Sequence, residues 1–86
     1  MRKVTIFYLE NCPHCRRAFN IIEELKSNNP EYSKVEINLI EESKNVQAAS
    51  AQDYYYVPAF FVDGVKLHEG VPSMEIIKAV LEKAAK

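Results

Sequence analysis

The feature that most constrains this chain is a switch of hydrophobic period with two cysteines at the junction. Residues Lys3 to Leu9 run nearly continuously apolar through Val4, Thr5, Ile6, Phe7 and Tyr8. A β-branched and aromatic run of that kind predicts a strand buried on both faces. From Pro13 to about Lys26, Ala18, Ile21, Ile22 and Leu25 recur at helical spacing, with Phe19 on the flank. Asn11 is the expected cap, Pro13 suits the first turn, and Asn28-Asn29-Pro30 ends the helix. Cys12 and Cys15, the two cysteines of the chain, fall where strand gives way to helix.

The remaining pattern completes a small α/β sequence. Val35, Ile37 and Leu39 alternate with Glu36 and Asn38, which predicts a second strand. An alanine-rich helix is expected from about Ser43 to Asp53, with Val46, Ala49 and Tyr54 facing inward. Ala59 to Val62, then Asp63-Gly64, then Val65 to His68 reads as a hairpin around an Asp-Gly turn. Gly70 and Pro72 break the chain. Ser73 then caps a last amphipathic helix with Met74, Ile77, Val80, Leu81 and Ala84 on one stripe. The order is βαβαββα, with the first two strands parallel and the last two antiparallel. A mixed four-stranded sheet flanked by helices follows.

Composition narrows the classes. The chain has 86 residues and no repeat or linker-like tract, so residues 1–86 are expected to form one domain. Eleven basic against 12 acidic residues give a net charge of −1, so no global basic field holds nucleic acid or membrane. No apolar run approaches the roughly 20 residues of a membrane span. The six-residue apolar stretch before Glu10 is short for a signal peptide. A cytoplasmic monomer is the expectation.

The two cysteines make poor staples, because a bridge three residues long closes almost no loop. A Cys-X-X-Cys that opens a helix after the first strand of a βαβ unit reads instead as a redox dithiol. The thiolate is the nucleophile, and a helix N-terminus offers it unpaired N–H groups and the positive dipole end. Cys12 is thus the expected nucleophile, and Cys15 the thiol that resolves the mixed disulfide. Pro13 lacks an N–H at a position that does not need one, and stiffens the turn. Protonated His14 favours the Cys12 thiolate and makes the disulfide more oxidising. Arg16 and Arg17 act in the same sense, or are simply a solvated helix face, and Glu10 opposes them from the strand side.

The βαβαββα order, Cys12-Pro13-His14-Cys15 and the Val57-Pro58 step before a strand resemble the thioredoxin superfamily over essentially the whole chain. At this length the resemblance is to glutaredoxins and small glutaredoxin-like thioredoxins. It implies that Pro58 is cis and lies beside the cysteines, and that the Val57 backbone pairs with substrate like an added strand. Several positions depart from the glutaredoxin pattern. His14 replaces a tyrosine, so that Pro13-His14 looks like the inner pair of the periplasmic dithiol oxidases. Leu9 stands for a glutathione-binding lysine, Tyr56-Val57-Pro58 for Thr-Val-Pro, and Glu69-Gly70-Val71-Pro72-Ser73 for Gly-Gly-Cys-Asp-Asp. Glutathione is expected to bind weakly, as a co-substrate if at all.

Tyr54-Tyr55-Tyr56 forms either an aromatic lip for a peptide substrate or half-buried packing at the sheet edge. His68 is expected to lie exposed on the last strand without a role. The leading function is a disulfide oxidoreductase acting on protein or small-molecule disulfides, needing no bound cofactor and supplied with electrons by glutathione or a thioredoxin-reductase-type enzyme. Two alternatives belong to other classes. One is a metal or iron–sulfur site using Cys12, Cys15 and His14 or His68, completed in a dimer because structural zinc takes four ligands. The other is a redox-inert binding module on the same fold.

Overall fold

β-Branched and aromatic residues set the middle of the molecule. The structure is a computed structural model that describes residues 2–86. Strand β1 (Val4–Tyr8) pairs in parallel with β2 (Ile37–Glu41) and antiparallel with β3 (Ala59–Val62). β3 pairs antiparallel with β4 (Val65–Glu69), giving a four-stranded sheet in the order β2-β1-β3-β4. This is the mixed sheet expected from the sequence. At the hairpin, Asp63 and Gly64 both adopt positive φ (50° and 82°), the backbone that two-residue hairpin turns require. A β-bulge between Phe60 and Phe61 lets Leu67 pack against the core from the edge strand.

Side-chain alternation divides the sheet into two unequal faces. Val4, Ile6, Phe60 and Val62 point to one face, where they meet α1 (Pro13–Asn28), α2 (Pro30–Ser33) and α4 (Met74–Ala85). Ala18, Ile22, Leu25, Ile77, Val80, Leu81 and Ala84 fill that core from the helices. Phe7, Ala59 and Phe61 point the other way, onto Ile40, Tyr54 and the Ala48 and Ala49 of α3 (Val46–Ser50). Phe7 stacks on Tyr54 at 5.0 Å and meets Phe61 edge-on at 5.5 Å.

The structure corrects several details. α2 is an extra helical turn, started by Pro30, that buries Tyr32 and sends its hydroxyl to Glu82 at 3.0 Å. Val35 is buried but precedes β2, because its N–H still closes the α2 turn onto Tyr32. Leu39 is half exposed, since β2 is an edge strand, while Ile40 on the other face is the residue that packs. The alanine-rich helix is only five residues long, and Val46, at its start, is exposed. Asn45 caps that helix by accepting the Ala48 N–H. Met74 lies ahead of the buried stripe, which begins at Ile77, and is exposed.

Candidate functional site

β1 ends at Tyr8, and after four intervening residues the chain enters α1 at Pro13. The residue that caps α1 is Cys12, not the expected Asn11. Pro13 occupies the first helical position, so the preceding residue takes extended backbone (φ −107°, ψ 112°) and its side chain faces the open N–H groups. Cys12 Sγ accepts the Cys15 N–H at 3.1 Å, in the slot where serine or aspartate oxygens usually sit. The same sulfur lies 4.0 Å from the Val57 carbonyl oxygen. The Val57-Pro58 peptide bond is cis, Pro58 is fully buried, and the Pro58 carbonyl accepts the Gly70 N–H at 3.0 Å. Strand end, helix start and the loop before β3 therefore converge on one sulfur.

The two cysteines differ sharply although three residues apart. Cys12 is half-buried, whereas Cys15 is 1% exposed. Burial pushes the Cys15 thiol up to about 12, with the hydrogen bond to Cys12 adding to it and the negative field of Cys12 and Glu42 contributing less. Cys15 is therefore a protonated thiol at neutral pH. One sulfur is accessible and carries a backbone donor; the other is a shielded thiol one turn inside.

The surroundings sort the other candidates. His14, Arg16 and Arg17 are exposed, and the first turn of α1 contains no acid. Glu10 does not face those cations alone, because its carboxylate is engaged by Lys44, and the Glu10 carboxylate raises the affinity of that lysine for its proton. The three tyrosines split: Tyr54 is packing, with its hydroxyl donating to Glu42 at 2.5 Å, while Tyr55 and Tyr56 are 82% and 67% exposed. An open groove of about 440 Å³ runs past Leu9, Glu42, Val46, Tyr54 and Tyr55 beside the site. A larger hollow, about 650 Å³, lies at the start of β1 against Arg2, Lys3 and Lys34 and holds no nucleophile. His68 is half-buried rather than exposed, with its ring near Phe60 and its Nε2 2.9 Å from the Val71 carbonyl. Among the described residues no cluster of three His, Cys, Asp or Glu side chains is placed to hold a metal ion. None of the described helices is long and apolar enough to cross a membrane.

Comparison with known proteins decides the family. The thioredoxin domain family matches residues 2–82. This chain belongs to the thioredoxin domain family. It is similar to a thioredoxin of Methanocaldococcus jannaschii, 28% identical over 81 residues that cover 94% of this chain and 93% of that one. Among solved structures, it resembles Malassezia sympodialis thioredoxin with a TM-score of 0.74 at 20% identity, covering 99% of this chain and 76% of the other. A thioredoxin of Halobacterium salinarum superposes with a TM-score of 0.71 at 21% identity, covering 99% and 75%. At such identities these two likenesses speak for the fold alone.

Membership of that family, with two cysteines at the start of α1, supports thiol–disulfide oxidoreduction as the general chemistry. The relatives named are thioredoxins, and none is a glutaredoxin. Two site residues escaped the sequence reading. Glu69 accepts the N–H groups of Tyr55 and Tyr56 at 2.7 and 3.2 Å, and Glu42 takes the Tyr54 hydroxyl. Both partnerships span 12 residues or more, so no local spacing announces them. The one available signal was three consecutive tyrosines before Val57-Pro58, too many to bury without polar partners.

Proposed function

We propose that this chain reduces or exchanges disulfides of proteins or small molecules, with Cys12 as nucleophile and Cys15 as resolving thiol. The observation that carries the reading is the unequal pair of sulfurs: Cys12 half-buried under the Cys15 N–H, Cys15 buried and held as a thiol. The Cys12 thiolate attacks a substrate disulfide, forms a mixed disulfide and releases one substrate thiolate. Cys15 then gives up its proton and attacks Cys12 Sγ. The Cys12–Cys15 disulfide forms, the second substrate thiol leaves, and two electrons have passed to the substrate. Val57, Pro58 and Tyr56 form the substrate edge, while Pro13, His14 and Arg16 tune the potential. Residues 1–86 act as one domain, as a monomer in the cytoplasm.

Glutathione is a poor substrate in this reading. Its two carboxylates and amino group are costly to desolvate without partners. Leu9, Pro72 and Ser73 stand where such partners would be, leaving Arg16, Arg17 and the Val57 backbone. Losing two charge-assisted contacts at ~1.5–3 kcal/mol each weakens binding by about a hundredfold or more. The source of electrons is either glutathione or a thioredoxin-reductase-type enzyme, and reduction of the oxidised protein by each separates them.

The test of the assignment is a pair of variants. Cys15→Ser should accumulate a mixed disulfide with a peptide substrate, visible by mass spectrometry, and Cys12→Ser should form none. A Cys12→Ser protein that still captures substrate while Cys15→Ser does not would reverse the two roles. Metal analysis of anaerobically purified protein addresses the other class: a stoichiometric metal or cluster would favour the metal-site alternative.

A further inference from the structure

We propose that Glu69 is a positioning residue for substrate: its carboxylate fixes the backbone of Tyr55 and Tyr56 so that Val57 presents its main chain beside Cys12. The inference rests on the reading above, in which Val57 is the substrate edge. The segment before Pro58 is poorly held by packing. Tyr54 is anchored among Phe7 and Phe61, and Pro58 is buried, but Tyr55 and Tyr56 between them are largely in solvent. Apolar burial therefore does not set the path of residues 55–57, and polar contacts must.

Those contacts come from one place. A single Glu69 oxygen, Oε2, accepts both the Tyr55 N–H (2.7 Å) and the Tyr56 N–H (3.2 Å). The other oxygen takes Lys66 Nζ at 3.1 Å, so the carboxylate is oriented from behind. The Tyr55 N–H, with Lys66 and the Tyr56 N–H adding to it, holds the Glu69 carboxyl below its usual range. Glu69 itself is fixed at the end of β4, opposite Ala59, and the next residue, Gly70, turns with φ 91° and donates to the Pro58 carbonyl. Main-chain ties thus grip the chain at residues 55, 56 and 58 and skip Val57. Among the described residues the Val57 N–H has no acceptor within the chain, and its carbonyl has only the long Cys12 contact. That is an open strand edge held at the reactive sulfur, suited to an extended peptide.

The test compares two disulfides of different reach. Pre-reduced protein is mixed with a short peptide containing one intramolecular disulfide, and separately with 2-hydroxyethyl disulfide, which has no peptide backbone to pair. Glu69→Ala should raise the peptide concentration giving half-maximal rate about five- to tenfold, the scale of one net hydrogen bond or slightly more. The maximal rate and the reaction with 2-hydroxyethyl disulfide should stay within about twofold. Glu69→Gln should recover most of the loss, because its amide oxygen still accepts both N–H groups. Should the alanine variant not fold, Glu69→Asp carries the same test, since its shorter carboxylate falls away from the amides and should weaken peptide use alone.

An alanine or aspartate variant that handles the peptide like the wild type overturns the inference. So does one that slows both disulfides equally, which would make Glu69 a general support of the fold. Wild-type protein that leaves the peptide disulfide intact would instead defeat the proposed function, and this inference with it.

Discussion

Two helices in this molecule begin alike and serve different ends. α4 is capped by Ser73, whose Oγ accepts the Ile76 N–H at 3.1 Å, and carries Glu75 in its first turn. α1 is capped by Cys12, whose Sγ accepts the Cys15 N–H at the same 3.1 Å, and has no acid in its first turn but Arg16 and Arg17 directly after Cys15. In α4 the Ser73 hydroxyl accepts an open N–H and the Glu75 carboxylate sits in the first turn near the positive dipole end, both of which stabilise the helix. In α1 that positive end is left for the sulfur. A helix start is thus one physical resource, used for stability in α4 and, in the proposed function, for the reactivity of Cys12 in α1.

The comparison can be broken in four ways. The largest effect is expected from Cys12→Ser. It should lose all disulfide reduction yet unfold at a temperature equal to or above that of the reduced wild type, because serine is among the strongest caps. A clear loss of thermal stability would mean that the sulfur does more for the helix than a hydroxyl.

The second effect is on stability at high pH. In the unfolded chain Cys15 loses its proton near 9.0, but in the folded protein only near 12. The unfolded state therefore binds fewer protons between those values, and the stability of the reduced protein should fall as pH rises through that window. Urea titrations at several pH values check this. Cys15→Ser should lack that component of the decline, and an unchanged slope in it would show that Cys15 is not its source.

Ser73→Ala is next. It should cost about 1 kcal/mol and lower Tm by roughly 4–8 °C, with turnover unchanged, since the cap of α4 takes no part in the chemistry. Smallest is His14→Tyr. Removing an imidazole from the first turn should make the Cys12–Cys15 disulfide harder to reduce, by about two- to fivefold in equilibrium with a glutathione buffer. An unmoved equilibrium would leave His14 as a surface residue.

What the sequence disclosed follows the range of the forces involved. The Asp63-Gly64 turn, the Ser73 cap and the Cys-X-X-Cys at a helix start are short-range devices, and each stands where its residues indicated. The cap of α1 lies one position beyond Asn11, the better capping residue by type, because Pro13 fixes where the helix must begin. α3 is shorter than its alanine content suggests, because little tertiary packing sustains it: Ala48 and Ala49 reach the core, Val46 does not, and one turn remains. The Glu69 and Glu42 contacts were out of reach, since each joins segments that only the completed sheet brings together.

The place of β1 has a consequence for the order of assembly. It is one of the two interior strands of the sheet, flanked by β2 on one side and β3 on the other. Its approach is tied further by Lys3, paired with Asp63 in both directions, and by the Arg2 N–H on the Ala84 carbonyl. The first of the four strands in chain order thus finds its last partners some 60 to 80 residues later. Contacts of such separation slow folding, because the long loop must close before they form. During synthesis Cys12 and Cys15 emerge ahead of Val57 and the strands that complete the sheet, and the nascent chain passes through an interval with both thiols uncovered.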